Sequence, residues 1–124
     1  MVTSPTKLSG FTTQIHDHIA YIEAGVYRKI IAKDGQRQAV LVCLKAGTYL
    51  SKHTSSHDGF MIVIEGQGTF TLEGEETTLE AGVFISLPAN TAHAIHAIAN
   101  LAFLKVVDSH NDCQEHPPSA EGSP

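Results

Sequence analysis

Three histidines stand at segment ends, where side chains of different strands can meet. His53 and His57 lie four apart in LSKHTSSHDG (50–59), and His93 follows SLPANTA (86–92). Neutral imidazole ligates zinc, iron, nickel, copper and manganese, and it also carries protons near neutral pH. All three are candidate ligands for a divalent metal. The alternative is a pair of polar residues in a turn, or histidine hydrogen-bonded in a pocket without metal. On a straight strand four residues span roughly 13 Å. Two ligands of one ion, each with a metal–nitrogen bond of about 2.0–2.1 Å, need Cα atoms much closer than that. A bend at Thr54, Ser55 and Ser56 would bring His53 and His57 together, and Ser-Ser before Asp58-Gly59 tolerates one. The segment is a poor helix former, so a helical i,i+4 pair is not the better route. The other histidines read as solvated: His16 and His18 flank Asp17 in a turn before an expected strand, and His110 and His116 fall in a polar tail.

The elements that must position these residues are short. IAYIE (19–23), VYRKIIA (26–32), QAVLVCL (38–44), FMIVIE (60–65), TFTLE (69–73), VFISL (83–87) and LAFLKVV (101–107) are rich in β-branched and aromatic residues. Glycine-containing turns separate most of them, and KDGQ (33–36) is a tight hairpin signal. Strands spaced by roughly 8–12 residues with turns between them indicate a sandwich or barrel. On a strand, residues 49, 51 and 53 share one face, so Tyr49 and Ser51 would look inward if His53 does. By the same alternation His96 should face away from His93. NTAHAIHAIAN (90–100) resists a strand reading. It is rich in alanine, has Asn90 or Thr91 as an N-cap, and as a helix would put His93 and His96 on one face.

A chain of 124 residues suits one domain with its own core. An apolar fraction of 42% against 17% charged excludes a disordered composition. The net charge is −5 and the basic residues are scattered, which excludes an electrostatic nucleic-acid surface. No apolar run approaches the ~18 residues of a membrane helix, and MVTSPTKLSGFTTQ has no secretory apolar core. Cys43 lies in VLVCLKA and reads as a buried thiol, while Cys113 lies in the polar tail. No disulfide framework is expected, which fits the cytoplasm.

The order of signals from 47 to 93 resembles the cupin superfamily, specifically its small single-domain bacterial members of the cupin 2 conserved-barrel type. GTYLSKH (47–53) is followed by an apolar strand and EGQG (65–68). Then come TFTLEGE (69–75), LEAG (79–82) and VFISLPANTAH (83–93). The resemblance implies an all-β fold, a double-stranded antiparallel β-barrel or jelly roll with its site inside. Composition makes 1–14, polar and rich in Ser and Thr, an N-terminal arm or edge strand and 108–124 a disordered tail, which leaves 15–107 as the single barrel. The resemblance also makes His93 the start of a strand rather than part of a helix.

The family's ligands are two histidines and a carboxylate from the first motif and one histidine from the second. His53 and His93 match. Ser55 stands at the second histidine position, Gly59 at the carboxylate position, Asn90 at a glycine and Ala97 at the final asparagine. His57 would substitute if the chain bends, and Asp58 adjoins the missing carboxylate. The resemblance thus implies a divalent transition metal (Zn, Fe, Ni or Mn) on His53, His57 and His93. The chemistry implied is of dioxygenase, isomerase or lyase type on a small polar organic molecule. Without a carboxylate ligand the ion would keep its full charge and favour anionic substrates. The alternative is a metal-free cupin that binds a small molecule, as a regulatory module or a histidine-dependent isomerase. Tyr49, Ser51, Ser55, Met61, Val63 and Ile95 would line the pocket in either case. The partners implied are a small-molecule substrate or ligand and a second copy in a homodimer, with no nucleic acid and no membrane.

Overall fold

The computed structural model of this chain describes residues 10–55 and 57–108. Most of the expected arm, the tail beyond 108 with His110, Cys113 and His116, and Ser56 lie outside the described residues. A 3-10 turn over Ile15–His18 comes first. The strands are β1 (Val26–Asp34), β2 (Arg37–Leu44), β3 (Tyr49–His53), β4 (Gly59–Glu65), β5 (Gln67–Leu72), β6 (Glu75–Glu80), β7 (Phe84–Leu87), β8 (His93–Ala97) and β9 (Leu101–Asp108). They form two antiparallel sheets, β1-β2-β9-β4-β7 and β3-β8-β5-β6, stacked as a jelly roll. The sheets do not close into a continuous barrel.

Alternation in each strand sends one set of side chains between the sheets. Val40, Val42, Leu44, Met61, Val63, Leu101 and Phe103 of the larger sheet meet Phe70, Leu79, Ile95 and Ala97 of the smaller, all buried. The β1–β2 hairpin turns at Gly35, whose φ of +64° suits the first loop position of a type II′ turn. Gly66 holds φ +105° between β4 and β5, and a Cβ there would run into the Asn100 carbonyl, so only glycine fits.

Two expectations about elements need correction. Residues 19–23 form no strand. Ile15, Ile19 and Tyr21 instead lie over Leu41, Cys43 and Ala102 on the back of the larger sheet. Apolar β-formers serve there as a cover and need no ladder. EETTLE, absent from the expected strands, is β6: an edge strand that buries only Leu79, so hydrophobicity could not reveal it. Residues 93–97 are strand, as the resemblance implies and against their helical composition, because β8 is hydrogen-bonded on both sides, to β3 and to β5.

Candidate functional site

The site begins with a fault in β3. Tyr49 pairs with His96 and Leu50 with Ile95, but His53 then pairs with His93. Ser51 and Lys52 therefore oppose a single residue, Ala94, which makes a β-bulge. A bulge reverses the in–out alternation beyond it. Leu50 and His53 both face inward, and the expected inward face for Tyr49 and Ser51 is corrected. Tyr49 is 60% exposed with its ring against His96, centroids 6.0 Å apart. Ser51 is exposed too, and it presents its carbonyl to the site instead of its hydroxyl.

His93 opens β8 between two rings. The His53 ring centroid lies 4.4 Å away and the Phe70 ring 5.9 Å away. His53 Nδ1 donates to the Ser51 carbonyl at 2.9 Å, and His93 Nδ1 donates to the Thr91 carbonyl at 3.1 Å. A carbonyl oxygen only accepts, so each Nδ1 carries a proton and each Nε2 keeps its lone pair while the ring is neutral. Burial pushes the His93 imidazole below its ordinary range. The nearby His53 and, less strongly, Lys105 push the same way, against the Thr91 carbonyl.

The two imidazoles face an inner cavity of about 30 Å³, room for a water or a single small group. Met61, Ile95, Leu50, Phe70 and Phe103 supply apolar walls. Val63 is buried in the core beside them without lining the cavity. Two cations also line it, Arg28 and Lys105. Arg28 pairs with Val42, and Lys105 pairs with Val40 and Met61, so both stand on the inner face of the larger sheet. Burial, then the charge of Arg28, pulls the Lys105 ammonium down from its ordinary value to about 8. Sequence reasoning missed both. The signal was present: in LAFLKVV, period two puts Lys105 on the face of Leu101 and Phe103.

His57 is not among the cavity residues. It lies in a turn where its N–H donates to the Ser55 hydroxyl at 3.2 Å. Ser55 is exposed, and its carbonyl accepts from the Asn90 N–H at 2.6 Å. The Asp58 carboxylate accepts from the Ala89 N–H at 2.8 Å. The Asn90–Ser55 and Ala89–Asp58 bonds stitch the loop before β4 to the loop after β7, and the second engages the Asp58 carboxylate.

The metal implied by the family resemblance does not fit this donor set. Among the described residues no three His, Cys, Asp or Glu side chains are grouped to share an ion. A Cβ at Gly59, the position of the family's carboxylate, would meet Val107 Cγ1 at 2.7 Å and the Val106 carbonyl at 2.9 Å. Two imidazoles remain, beside two cations. Catalytic zinc sites use three protein ligands, and a divalent ion here would be repelled by Arg28 and Lys105.

Comparison with known proteins agrees with the architecture. No curated protein matches the chain. Among solved structures, KdgF from Halomonas sp. shares 27% identity at a TM-score of 0.72, over 85% of this chain and 98% of that one. An RmlC-like cupin from Shewanella frigidimarina shares 18% identity at 0.72, over 87% and 97%. The salicylate 1,2-dioxygenase of Pseudoaminobacter salicylatoxidans, solved with gentisate, shares 19% at 0.65, over 76% of this chain but 28% of its own. The last two likenesses speak to fold alone. The family described as the cupin domain matches residues 40–107, over half of the chain. With the two-sheet jelly roll and its inward histidines, that match makes this chain a member of the cupin domain family.

Proposed function

We propose that this chain is a small-molecule-binding cupin in which His53 and His93 form a metal-independent acid–base pair, of isomerase or lyase type. One observation carries the reading: both Nδ1 atoms are tied to backbone carbonyls, which leaves two Nε2 atoms to exchange protons. Ring centroids 4.4 Å apart, next to Lys105 and Arg28, disfavour two imidazolium ions at once. The two Nε2 atoms then share at most one proton and offer an acid and a base together, as proton transfer to and from carbon or oxygen requires. His93 is the buried member, kept neutral near pH 7 and suited to start as the base. His53 is less buried and connects the pair to solvent. The small inner cavity admits only a carbonyl, a hydroxyl or a similar group to the pair.

The test has two parts, both on tag-free protein. Incubation with Fe, Ni, Mn or Zn and removal of excess should leave far less than one ion per chain. Deuterium exchange from heavy water into a panel of small hydroxy- and oxo-compounds should persist in chelator and disappear in His93→Gln. Stoichiometric metal that is lost in both His53→Ala and His93→Ala, with exchange that needs it, overturns the metal-free reading.

A further inference from the structure

A second cavity, of about 370 Å³, opens beside the inner one. Its walls come from three neighbouring strands of the larger sheet: Arg28, Lys29 and Ile30 of β1, Gln38 and Val40 of β2, and Lys105 and Val107 of β9. Arg28 and Lys105 line both cavities, so they stand where the two adjoin. The volume lies at the lower end of small-ligand pockets, which run from about 300 to 1,000 Å³.

The charge of this space runs against that of the molecule. The chain has eight Lys and Arg against thirteen Asp and Glu. Among the described residues three of those eight cations border this one cavity and no acidic residue does; Arg28 and Lys105 turn their side chains to it, while the register turns Lys29 to the back of the sheet. Lys105 makes no salt bridge with a carboxylate among the described residues. A partly buried ammonium beside a guanidinium is unfavourable unless an anion offsets it. The rest of the lining is one amide and three aliphatic side chains, which suits a short carbon skeleton with few polar groups.

We infer that the ligand of this protein is a small organic acid whose carboxylate sits in the outer cavity between Arg28 and Lys105. The planar Arg28 fork can hold two carboxylate oxygens, and Lys105 contributes a point charge. The uncharged end of the acid then points into the inner cavity. Which end reacts rests on the His53–His93 reading; the anion seat does not. The combination narrows the substrate to a hydroxy or oxo acid a few carbons long.

Binding to the full chain is followed by amide NMR at constant ionic strength. The probes are pyruvate, succinate, glucuronate and glycerol 3-phosphate, set against the neutral partners acetone, succinamide, glucose and glycerol. At least one carboxylate should bind saturably and shift the amides of Arg28, Lys29 and Lys105. Its neutral partner should bind about tenfold more weakly or worse, the loss expected for one charge-assisted contact. Lys105→Met and Arg28→Gln should each reproduce that loss. His93→Gln should retain the preference for the acid over its neutral partner, so failure of the acid–base reading and failure of the anion seat give different results. Three results overturn the inference: equal binding of acid and neutral partner, unchanged affinity in Lys105→Met, or no saturable carboxylate. Saturation by glycerol 3-phosphate alone replaces the carboxylate with a phosphate and overturns the assignment to a carboxylic acid.

Discussion

At the scale of single residues, Lys105 is where the fold gives up stability. Its ammonium titrates near 8 in the folded protein against 10.5 for an ordinary lysine. Below about pH 8 both states hold the proton, and the folded state bears the full penalty, at most about 3 kcal/mol. Between 8 and 10.5 the unfolded chain keeps a proton that the folded protein sheds, so stability rises with pH through that window. Cys43 and Tyr21, both pushed up by burial, act in the opposite sense at higher pH. The difference between wild type and Lys105→Met cancels them. Urea unfolding should show the variant more stable at pH 7, with the advantage shrinking towards pH 10; a constant difference would mean that Lys105 pays no burial penalty. Gly59 gives a second residue-scale prediction. Gly59→Ala forces a Cβ against Val107 and the Val106 carbonyl, and overpacking of this kind costs about 1–3 kcal/mol. Unchanged urea midpoints would refute the clash. His53 and His93 were legible in the sequence because loop-flanking turn residues framed them. Arg28 and Lys105 were not picked out, because a charged residue in an apolar run reads as the solvent face until the register shows otherwise.

At the scale of elements, the bulge in β3 decides which side chains the site receives. A uniform alternation puts Tyr49, Ser51 and His53 on one face. The extra residue at Ser51–Lys52 separates them and sends Leu50 and His53 inward. Nothing in YLSKH marks that insertion, since none of its residues is glycine or proline. Deleting Lys52 should leave Ser51 alone opposite Ala94, which removes the bulge and keeps His53 opposite His93 on the inner face. Proton cross-relaxation between the His53 and His93 rings should then persist with cooperative unfolding; its loss would show that register does not hold His53 inward. The N-terminal cover is the other element whose role was unreadable, because IAYIE has strand composition and a strand's burial without a strand's partners. Its link to the sheet is the Tyr21 hydroxyl, which donates to the Glu65 carboxylate at 2.7 Å. Tyr21→Phe should cost about 1–2 kcal/mol by urea titration, the usual range for a partly buried bond to a charged acceptor.

At the scale of the whole molecule, the described residues cover only half of the back of the larger sheet. The segment from Ile15 to Tyr21 lies over Leu41, Cys43 and Ala102. Further across, Phe60, Ile62 and Phe84 are 52%, 38% and 60% exposed, with the Phe60 and Phe84 rings stacked 5.6 Å apart. Register places Ser86 and Val106 opposite Phe60, and Phe84 and Leu104 opposite Ile62, so this outer face carries no charge. A two-fold interface sets one patch against its own copy, which makes an uncharged face the suitable one in a molecule of net charge −5. By contrast, the edge strand β6 carries Glu75, Glu76 and Glu80, which would repel a copy. The homodimer expected from sequence should therefore form through Phe60, Ile62 and Phe84. Phe84→Lys would place two like charges near the two-fold axis without touching the core. Sedimentation should show a dimer for wild type and a monomer for this variant at equal thermal stability. A monomeric wild type removes the dimer, and a dimeric Phe84→Lys moves it to another face.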